Sequence, residues 1–400
     1  MTRDSNAEKK IFKINSRGNR VGRIKCPLDP SHTIWEDKLK SHLGKCNAVR
    51  AKRAIEEKQK NCDWFDLNLN VKEEILDGNM KLTDENIDIK EFKDFLESTL
   101  MRYEVFFKNQ SEVPEVPIDQ QMYKEGLEER YEEISNKKHL LQQSSLIGQL
   151  VKYQLFSREN LYIEFGCGRG EFSRYLSRAL DEKGDAEVGS RFLMVDRESP
   201  RMKMDNKIVL DSKCSTPEVH RLKVDIKDLK LSKAMENFSS RPNDYYVGIS
   251  KHLCGVATDL TLRCLVNCMQ DTEMHFKFKG FLVAMCCRHC CYYPWLLEGS
   301  KRWLKEIFGI DETNFKYLRK MCPWATNGTN HRGELKGKEH FSGMSLEERE
   351  VVGLKMRRIL DTSRCIAMKE KGFKVQLVRY VPREVTFENS CMVIENDGIM

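Results

Sequence analysis

Apolar and charged positions alternate at helical spacing through residues 51–110, most regularly over residues 92–107 after Ile87-Asp88-Ile89. The segment Ser111-Glu112-Val113-Pro114-Glu115-Val116-Pro117 breaks this pattern. Each proline biases its predecessor away from helix, so an extended linker is expected there. Helical spacing returns over residues 122–156 and leads into Leu161-Tyr162-Ile163-Glu164-Phe165, a short β-forming run. From there strand and helix signals alternate. Residues 191–196, 222–226, 245–250 and 281–285 read as successive strands, and residues 374–382 and 386–395 as a closing antiparallel pair. Strands separated by helices predict an α/β domain with a largely parallel sheet. No internal repeat or low-complexity segment is present.

The first of those strands runs into Glu164-Phe165-Gly166-Cys167-Gly168-Arg169-Gly170, followed by a helical pattern from Glu171. A strand that turns sharply into a helix needs glycine, because the backbone must enter conformations closed to other residues and approach a ligand closely. The spacing Glu-x-Gly-x-Gly-x-Gly differs from the Gly-x-Gly-x-x-Gly of nicotinamide and flavin folds. It resembles the first motif of class I S-adenosylmethionine-dependent methyltransferases. The other reading is a glycine-rich turn in some unrelated α/β protein. The later strands weigh against it, since several end in polar groups that can face one pocket. Asp196 stands 26 residues after Gly170, where a nucleoside-binding fold accepts hydrogen bonds from ribose hydroxyls. Asp225 ends the next run, where methyltransferases often place an acid near the adenine amine.

Charged residues make up 32% of the 400, the net charge is +7 and the pI is near 8.6, which permits an acidic partner without requiring one. No apolar run reaches membrane-spanning length and no signal-peptide core opens the chain, so no membrane partner is expected. Fifteen cysteines in such a chain point to a reducing, intracellular compartment, where they serve as metal ligands, buried apolar residues or catalytic groups.

Residues 1–60 hold 16 Lys or Arg against 7 Asp or Glu, so a charge of +9 lies there. Within this segment Cys26, His32, His42 and Cys46 follow the spacing Cys-x5-His-x9-His-x3-Cys. A helix is expected between Ile34 and Leu43, with His42 and Cys46 on one face of it and Cys26 and His32 in the preceding loop. Two thiolates and two imidazoles complete the tetrahedral shell of a structural zinc ion. Zinc would supply the folding energy that so short a segment cannot obtain from a core. The motif resembles the CHHC fingers of minor-spliceosome and gametocyte-specific proteins, a resemblance that implies RNA. Lys38, Lys40, Lys45, Arg50, Lys52 and Arg53 would form a cationic face for phosphates, or else an ordinary solvated surface.

Further motifs follow in fixed order: Lys251-His252-Leu253-Cys254-Gly255, then Cys286-Cys287-Arg288-His289-Cys290-Cys291, then Gly353-Leu354-Lys355 through Asp361 and Arg364. With the finger and the glycine turn they resemble the eukaryotic tRNA 2′-O-methyltransferases that modify the fourth nucleotide of the acceptor stem, over roughly residues 20–395. The resemblance implies a Rossmann-like methyltransferase domain, S-adenosylmethionine and zinc as cofactors, and tRNA as partner. Two departures stand out. Residues 1–25 contain no Cys, so the CCCH finger that usually precedes the CHHC one is absent from them. Arg288 occupies the first His position of the family's Cys-Cys-His-His-x-Cys cluster.

Methylating a ribose hydroxyl needs alignment and a base. Lys251 and His252 come directly after the fourth expected strand. His252 is the expected general base because its ordinary pKa lies near neutrality, and Lys251 would hold ribose or phosphate; the alternative is that either side chain simply binds backbone or solvent. Glu164, Gly166, Gly168, Gly170, Asp196 and Asp225 are the expected cofactor residues. Cys287-x-x-Cys290 and its neighbours permit a second metal, but adjacent residues seldom point at one ion, so a role in shaping the pocket wall is expected instead. Residues 301–350, with Lys316, Arg319, Lys320, Pro323, Trp324 and His331, read as a long functional excursion. With Lys355, Arg357, Arg358 and Arg364 they are candidates for gripping the acceptor stem, or else form a merely solvated face.

The expected organisation is a finger over residues 20–55, a helical linker region over 56–121 and a methyltransferase domain over 122–396. The pattern leaves open whether the early helices belong to the catalytic domain or bridge it to the finger. The chain is expected to act as a monomer in the nucleus, the cytoplasm or both. Two other functions remain: a non-catalytic RNA-binding adaptor, and a methyltransferase acting on a small molecule or protein.

Overall fold

The structure, a computed structural model, describes residues 12–14, 19–71, 87–109, 117–133, 135–182, 189–213, 216–238, 245–326, 340–396 and 398. It divides into two compact units, Met1–Leu67 and Asn68–Met400. The linker expected over 111–117 falls, apart from Pro117, outside the described residues.

In the first unit β1 (Phe12–Ile14), β2 (Arg20–Cys26) and β3 (Asp29–Trp35) form an antiparallel sheet, followed by α1 (Leu39–Leu43) and α2 (Asn47–Asn61). The β2–β3 register shifts between Lys25 and Cys26. Cys26 and His32 therefore come from a hairpin rather than the loop expected. Cys46 lies beyond the short α1, at the N-cap of α2, so His42 and Cys46 do not share one helix. Among the described residues only Val21, Cys26, Ile34, Cys46 and Phe65 of this unit are buried apolar side chains. That is too little apolar burial to hold a sheet together unaided.

The second unit contains α3 (Ile89–Asn109), α4 (Glu128–Glu133), α5 (Lys138–Lys152), β4 (Leu161–Phe165), α6 (Glu171–Asp181), β5 (Arg191–Asp196), α7 (Asp205–Leu210), β6 (Glu218–Lys223), α8 (Leu231–Phe238), β7 (Tyr245–Cys254), α9 (Val256–Met269), β8 (Lys277–Cys286), α10 (Glu298–Phe308), α11 (Phe315–Met321), α12 (Leu346–Lys369), β9 (Lys374–Arg379) and β10 (Ser390–Glu395). Seven strands form one sheet in the order β6-β5-β4-β7-β8-β10-β9. All are parallel except β10, which runs antiparallel to both neighbours. The expected α/β class and closing antiparallel pair are both present.

Every residue of β4 is buried, as a central parallel strand covered on both faces requires. Leu146, Ile147 and Leu150 of α5 and Phe172, Leu176 and Leu180 of α6 belong to one core with Tyr162, Phe192, Val247 and Leu282 of the sheet. Burying each such side chain contributes about 1.5–3 kcal/mol against leaving it in water. A second core joins Phe92 and Leu96 of α3 to Trp303, Leu304 and Phe308 of α10, Leu318 of α11 and Met356 and Ile359 of α12. The helix expected over 92–107 is present within α3 and belongs to the core of the second unit. Residues 301–326, expected as an excursion, are likewise helices of this core: Tyr317, Leu318, Met321 and Trp324 are buried. His331 lies outside the described residues.

The strand order reverses between β4 and β7: successive strands proceed to β5 and β6 on one side and to β8 on the other. Parallel α/β sheets bind ligands at such a switch point, outside the carboxyl ends of the strands.

Candidate cofactor site and metal centre

The glycine turn is built at the end of β4. Gly166, Gly168 and Gly170 have φ of 63°, 49° and 80°, the left-handed region that favours glycine. A Cβ on Gly170 would lie 2.8 Å from Met194 Sδ, so this glycine also permits α6 to pack on β5. A Cβ on Gly168 would meet nothing within 4 Å, which leaves that face of the turn open to a ligand. The Gly168 backbone N–H donates to Asp196 Oδ2 at 2.7 Å, and the Glu198 N–H donates to Oδ1 at 2.8 Å. Asp196 therefore couples the end of β5 to the turn.

A cavity of about 600 Å³ opens at this edge and is lined by Gly166, Asp196, Asp225 and His252 among others. Leu253, Val256, Ala257, Leu260 and Trp295 give it an apolar wall. Four of the expected residues thus converge. Asp225 caps the short turn after β6, its Oδ1 accepting from the Lys227 N–H at 3.0 Å. Gly168 and Gly170 shape the turn without lining the cavity. Glu164 is elsewhere: it is 3% exposed, and its carboxyl accepts from the Ser173 backbone N–H at 3.1 Å and from the Ser173 hydroxyl. It caps the first turn of α6, and burial pushes its pKa up to about 7 despite those hydrogen bonds.

Arg221 on β6 was not singled out by sequence. Its guanidinium holds Asp205 through two bonds of 2.9 and 2.8 Å and donates to Gly168 O at 2.7 Å, bracing the turn from below. No motif flags it, since its value comes from strand register alone.

Strand β7 runs on through Cys254, so Lys251 and His252 lie within it rather than after it. Its pairing with β8 shifts register between Ser250 and Leu253, which places these two residues at an irregularity. Lys251 is 8% exposed, with Nζ 3.1 Å from His139 Nδ1 on α5. Burial pushes its pKa down to about 8, against the opposing pull of Glu171 and Glu164. The nearby charge of Lys251, then burial, lowers that of His139. His252 keeps more than a third of its surface open, yet partial burial and then Lys251 and His139 push its pKa down to about 4. It is a neutral imidazole at physiological pH.

Arg288 is fully buried. It grips Asp361 through bonds of 3.0 and 2.7 Å, and it also bonds Glu388 at 2.8 Å and Met285 O at 3.0 Å. Arg364 bonds Asp259 twice at 2.8 Å, Asp361 at 3.3 Å and Cys291 Sγ at 3.0 Å. Arg357 pairs with Glu388. Arg357 and Arg364 are therefore interior ion-pair members, not parts of an RNA-gripping face. Lys355 pairs with Glu104 at 2.6 Å and Arg319 donates to Cys291 O at 3.2 Å.

In the first unit Cys26 and Cys46 are each 1% exposed, while His32 and His42 are half-buried. Their donor atoms all lie within 4.8 Å of one another, with Cys26 Sγ 3.3 Å from His42 Nε2 and His32 Nε2 3.1 Å from His42 Nε2. The four donors converge on one point and fit the tetrahedral shell of zinc in both type and number. Lys38, Lys40, Lys45, Arg50, Lys52 and Arg53 are all exposed.

A switch-point cavity between a glycine turn and two strand-end acids, on this seven-stranded sheet, defines an S-adenosylmethionine-dependent methyltransferase. More narrowly, the chain belongs to the TRM13 methyltransferase family, whose model matches residues 141–395. A second model, the U11-48K-like CHHC zinc finger, matches residues 23–47. The chain is similar to the "tRNA:m(4)X modification enzyme TRM13" of Debaryomyces hansenii, with 38% identity covering 96% of this chain and 85% of that one. The proteins of the same name from Yarrowia lipolytica and Saccharomyces cerevisiae are 35% and 36% identical. Each covers 93% of this chain, which in turn covers 81% and 84% of them. Among the described residues no helix is long and apolar enough to cross a membrane.

Proposed function

We propose that this chain transfers the methyl group of S-adenosylmethionine to the 2′-hydroxyl of the ribose of nucleotide 4 in the tRNA acceptor stem. The observation that carries the reading is the cavity itself, which joins a glycine turn and two acids to His252, with Lys251 next to it in the chain and His139 against Lys251 at 3.1 Å. The relatives' name gives tRNA and position 4, and the exposed cations of the finger are suited to phosphates.

Bound S-adenosylmethionine supplies an electrophilic methyl group. Asp196 would accept from the ribose hydroxyls, with Asp225 and the apolar wall beside the adenine. The roles of the two basic residues are exchanged relative to the expectation from sequence. Lys251, with its pKa near 8, has a usable neutral fraction at physiological pH and takes the proton of the attacking hydroxyl on Nζ. His252 lines the cavity as a neutral ring and positions the ribose. His139 accepts from the protonated Lys251 and so holds the ammonium once formed.

The test is methyl transfer to intact tRNA and to the same tRNA carrying a single 2′-deoxyribose at nucleotide 4. Transfer to the first and none to the second is expected. Equal transfer to both would place the methyl elsewhere. Absence of any S-adenosylmethionine binding by calorimetry would favour the adaptor reading instead.

A further inference from the structure

At the carboxyl edge of β7 and β8 three thiols meet. Cys254 Sγ and Cys286 Sγ are 3.1 Å apart, and the sulfurs of Cys254, Cys286 and Cys287 all lie within 4.8 Å of one another. Strand pairing accounts for the first contact, because Cys254 stands opposite Cys286 in the parallel register. It does not account for the third thiol. Successive residues of a strand point to opposite faces, so Cys287 should turn away from its neighbour. It does not, because the chain leaves β8 at Cys287 in the left-handed conformation, φ 48° and ψ 43°. A residue with a side chain seldom adopts that conformation, and here it brings adjacent cysteines to one point.

The turn that imposes this geometry is anchored on both sides. Cys290 N–H bonds Cys287 O at 2.9 Å, and Gly255 N–H bonds Cys286 O at 3.3 Å. Arg288, the residue after Cys287, is fixed by its bonds to Asp361 and Met285 O. A Cβ on Gly255 would lie 2.4 Å from the Cβ of Cys290, so only glycine lets the two strand ends approach. The thiols are therefore held together by the fold rather than by chance rotamers.

We propose that Cys254, Cys286 and Cys287 bind a zinc ion, separate from that of the finger. Three thiolates suit a borderline-soft divalent ion. Zinc–sulfur bonds of about 2.3 Å place tetrahedral ligand sulfurs about 3.8 Å apart. Here Cys254 and Cys286 are 3.1 Å apart and no pair exceeds 4.8 Å, the same bound that holds for the finger donors, four of whose pairs lie at 3.1 to 3.8 Å. Cys254 also lines the cofactor cavity, so the ion sits in its wall. Three protein ligands leave a fourth position open toward that cavity.

The test is metal analysis of the full chain, purified without chelator, together with its His42→Ala form. Two zinc ions per wild-type chain and one in His42→Ala are expected, and adding Cys287→Ser to His42→Ala should remove the last. Cobalt added to apo His42→Ala should give a thiolate-to-cobalt charge-transfer band, a readout that does not depend on the folding of any thiol variant. A His42→Ala chain that binds S-adenosylmethionine yet holds no zinc and gives no such band overturns the site. So does a wild-type chain lighter by two hydrogens with Cys254 and Cys286 joined in a disulfide and no second zinc.

Discussion

The Lys251 ammonium on β7 lies 3.1 Å from Nδ1 of His139 on α5, a contact between residues 112 apart in sequence. Burial and this basic neighbour set the chemistry of the corner. Burial lowers Lys251 toward the neutral form; the charge of Lys251 lowers the pKa of His139, and burial, then Lys251 and His139, lower that of His252.

The first prediction follows from that pair. A base must be deprotonated to act, so kcat should rise with pH and level off above about 8. Lys251→Ala should lower kcat roughly 10²–10⁴-fold and abolish that limb. His252→Ala should raise KM with a smaller effect on kcat. The reverse pattern in pH-rate profiles would return the base to His252.

Asp196 should govern cofactor affinity. Asp196→Ala removes the acceptor of two ribose bonds and frees the Gly168 N–H, so calorimetry should show a loss of about 2–4 kcal/mol. Unchanged affinity in a folded variant would remove Asp196 from the site.

Glu164 should behave as a helix cap and not as a cofactor ligand. Glu164→Ala strands the Ser173 N–H and should cost about 1–3 kcal/mol of stability, whereas Glu164→Gln keeps an acceptor and should bind cofactor normally. The folded pKa near 7 stands above the ordinary 4.5, so the native state binds the extra proton. Its contribution is complete below about 4.5 and is lost as pH rises through about 7. Stability measured against pH should decline less across that window in Glu164→Gln than in wild type.

Asp361 is shared by two buried guanidinium groups. Asp361→Ala leaves both without their common partner and should destabilise the catalytic unit by about 3–5 kcal/mol in denaturant unfolding. A small effect would mean that Glu388 and Asp259 suffice to hold Arg288 and Arg364.

Loss of the finger should separate RNA binding from cofactor binding. His42→Ala should lower tRNA affinity while S-adenosylmethionine still binds, because the finger donors all lie in the first compact unit. Unchanged tRNA affinity would assign RNA recognition to the second unit.

The sequence by itself determined the succession of strands along the chain, the glycine turn, the acids Asp196 and Asp225 and the spacing of the four finger residues. These are local signals, since alternation, glycine spacing and ligand spacing act through a few neighbouring residues. The tertiary structure decided what depends on contacts between distant residues. Glu164 has the sequence position of a ligand-site acid, but the register of β4 against α6 turns it into a cap. The basic residues from 316 to 364 read as a surface, yet the packing of α3, α10, α11 and α12 draws Arg357 and Arg364 inside as ion-pair partners. The base we propose is Lys251 rather than the expected His252, because a side chain's pKa follows its burial and neighbours, and Lys251 meets His139 only once α5 docks beside β7. The three-thiol cluster needed Cys254, 32 residues from Cys286, and a left-handed backbone at Cys287, neither of which a linear pattern encodes.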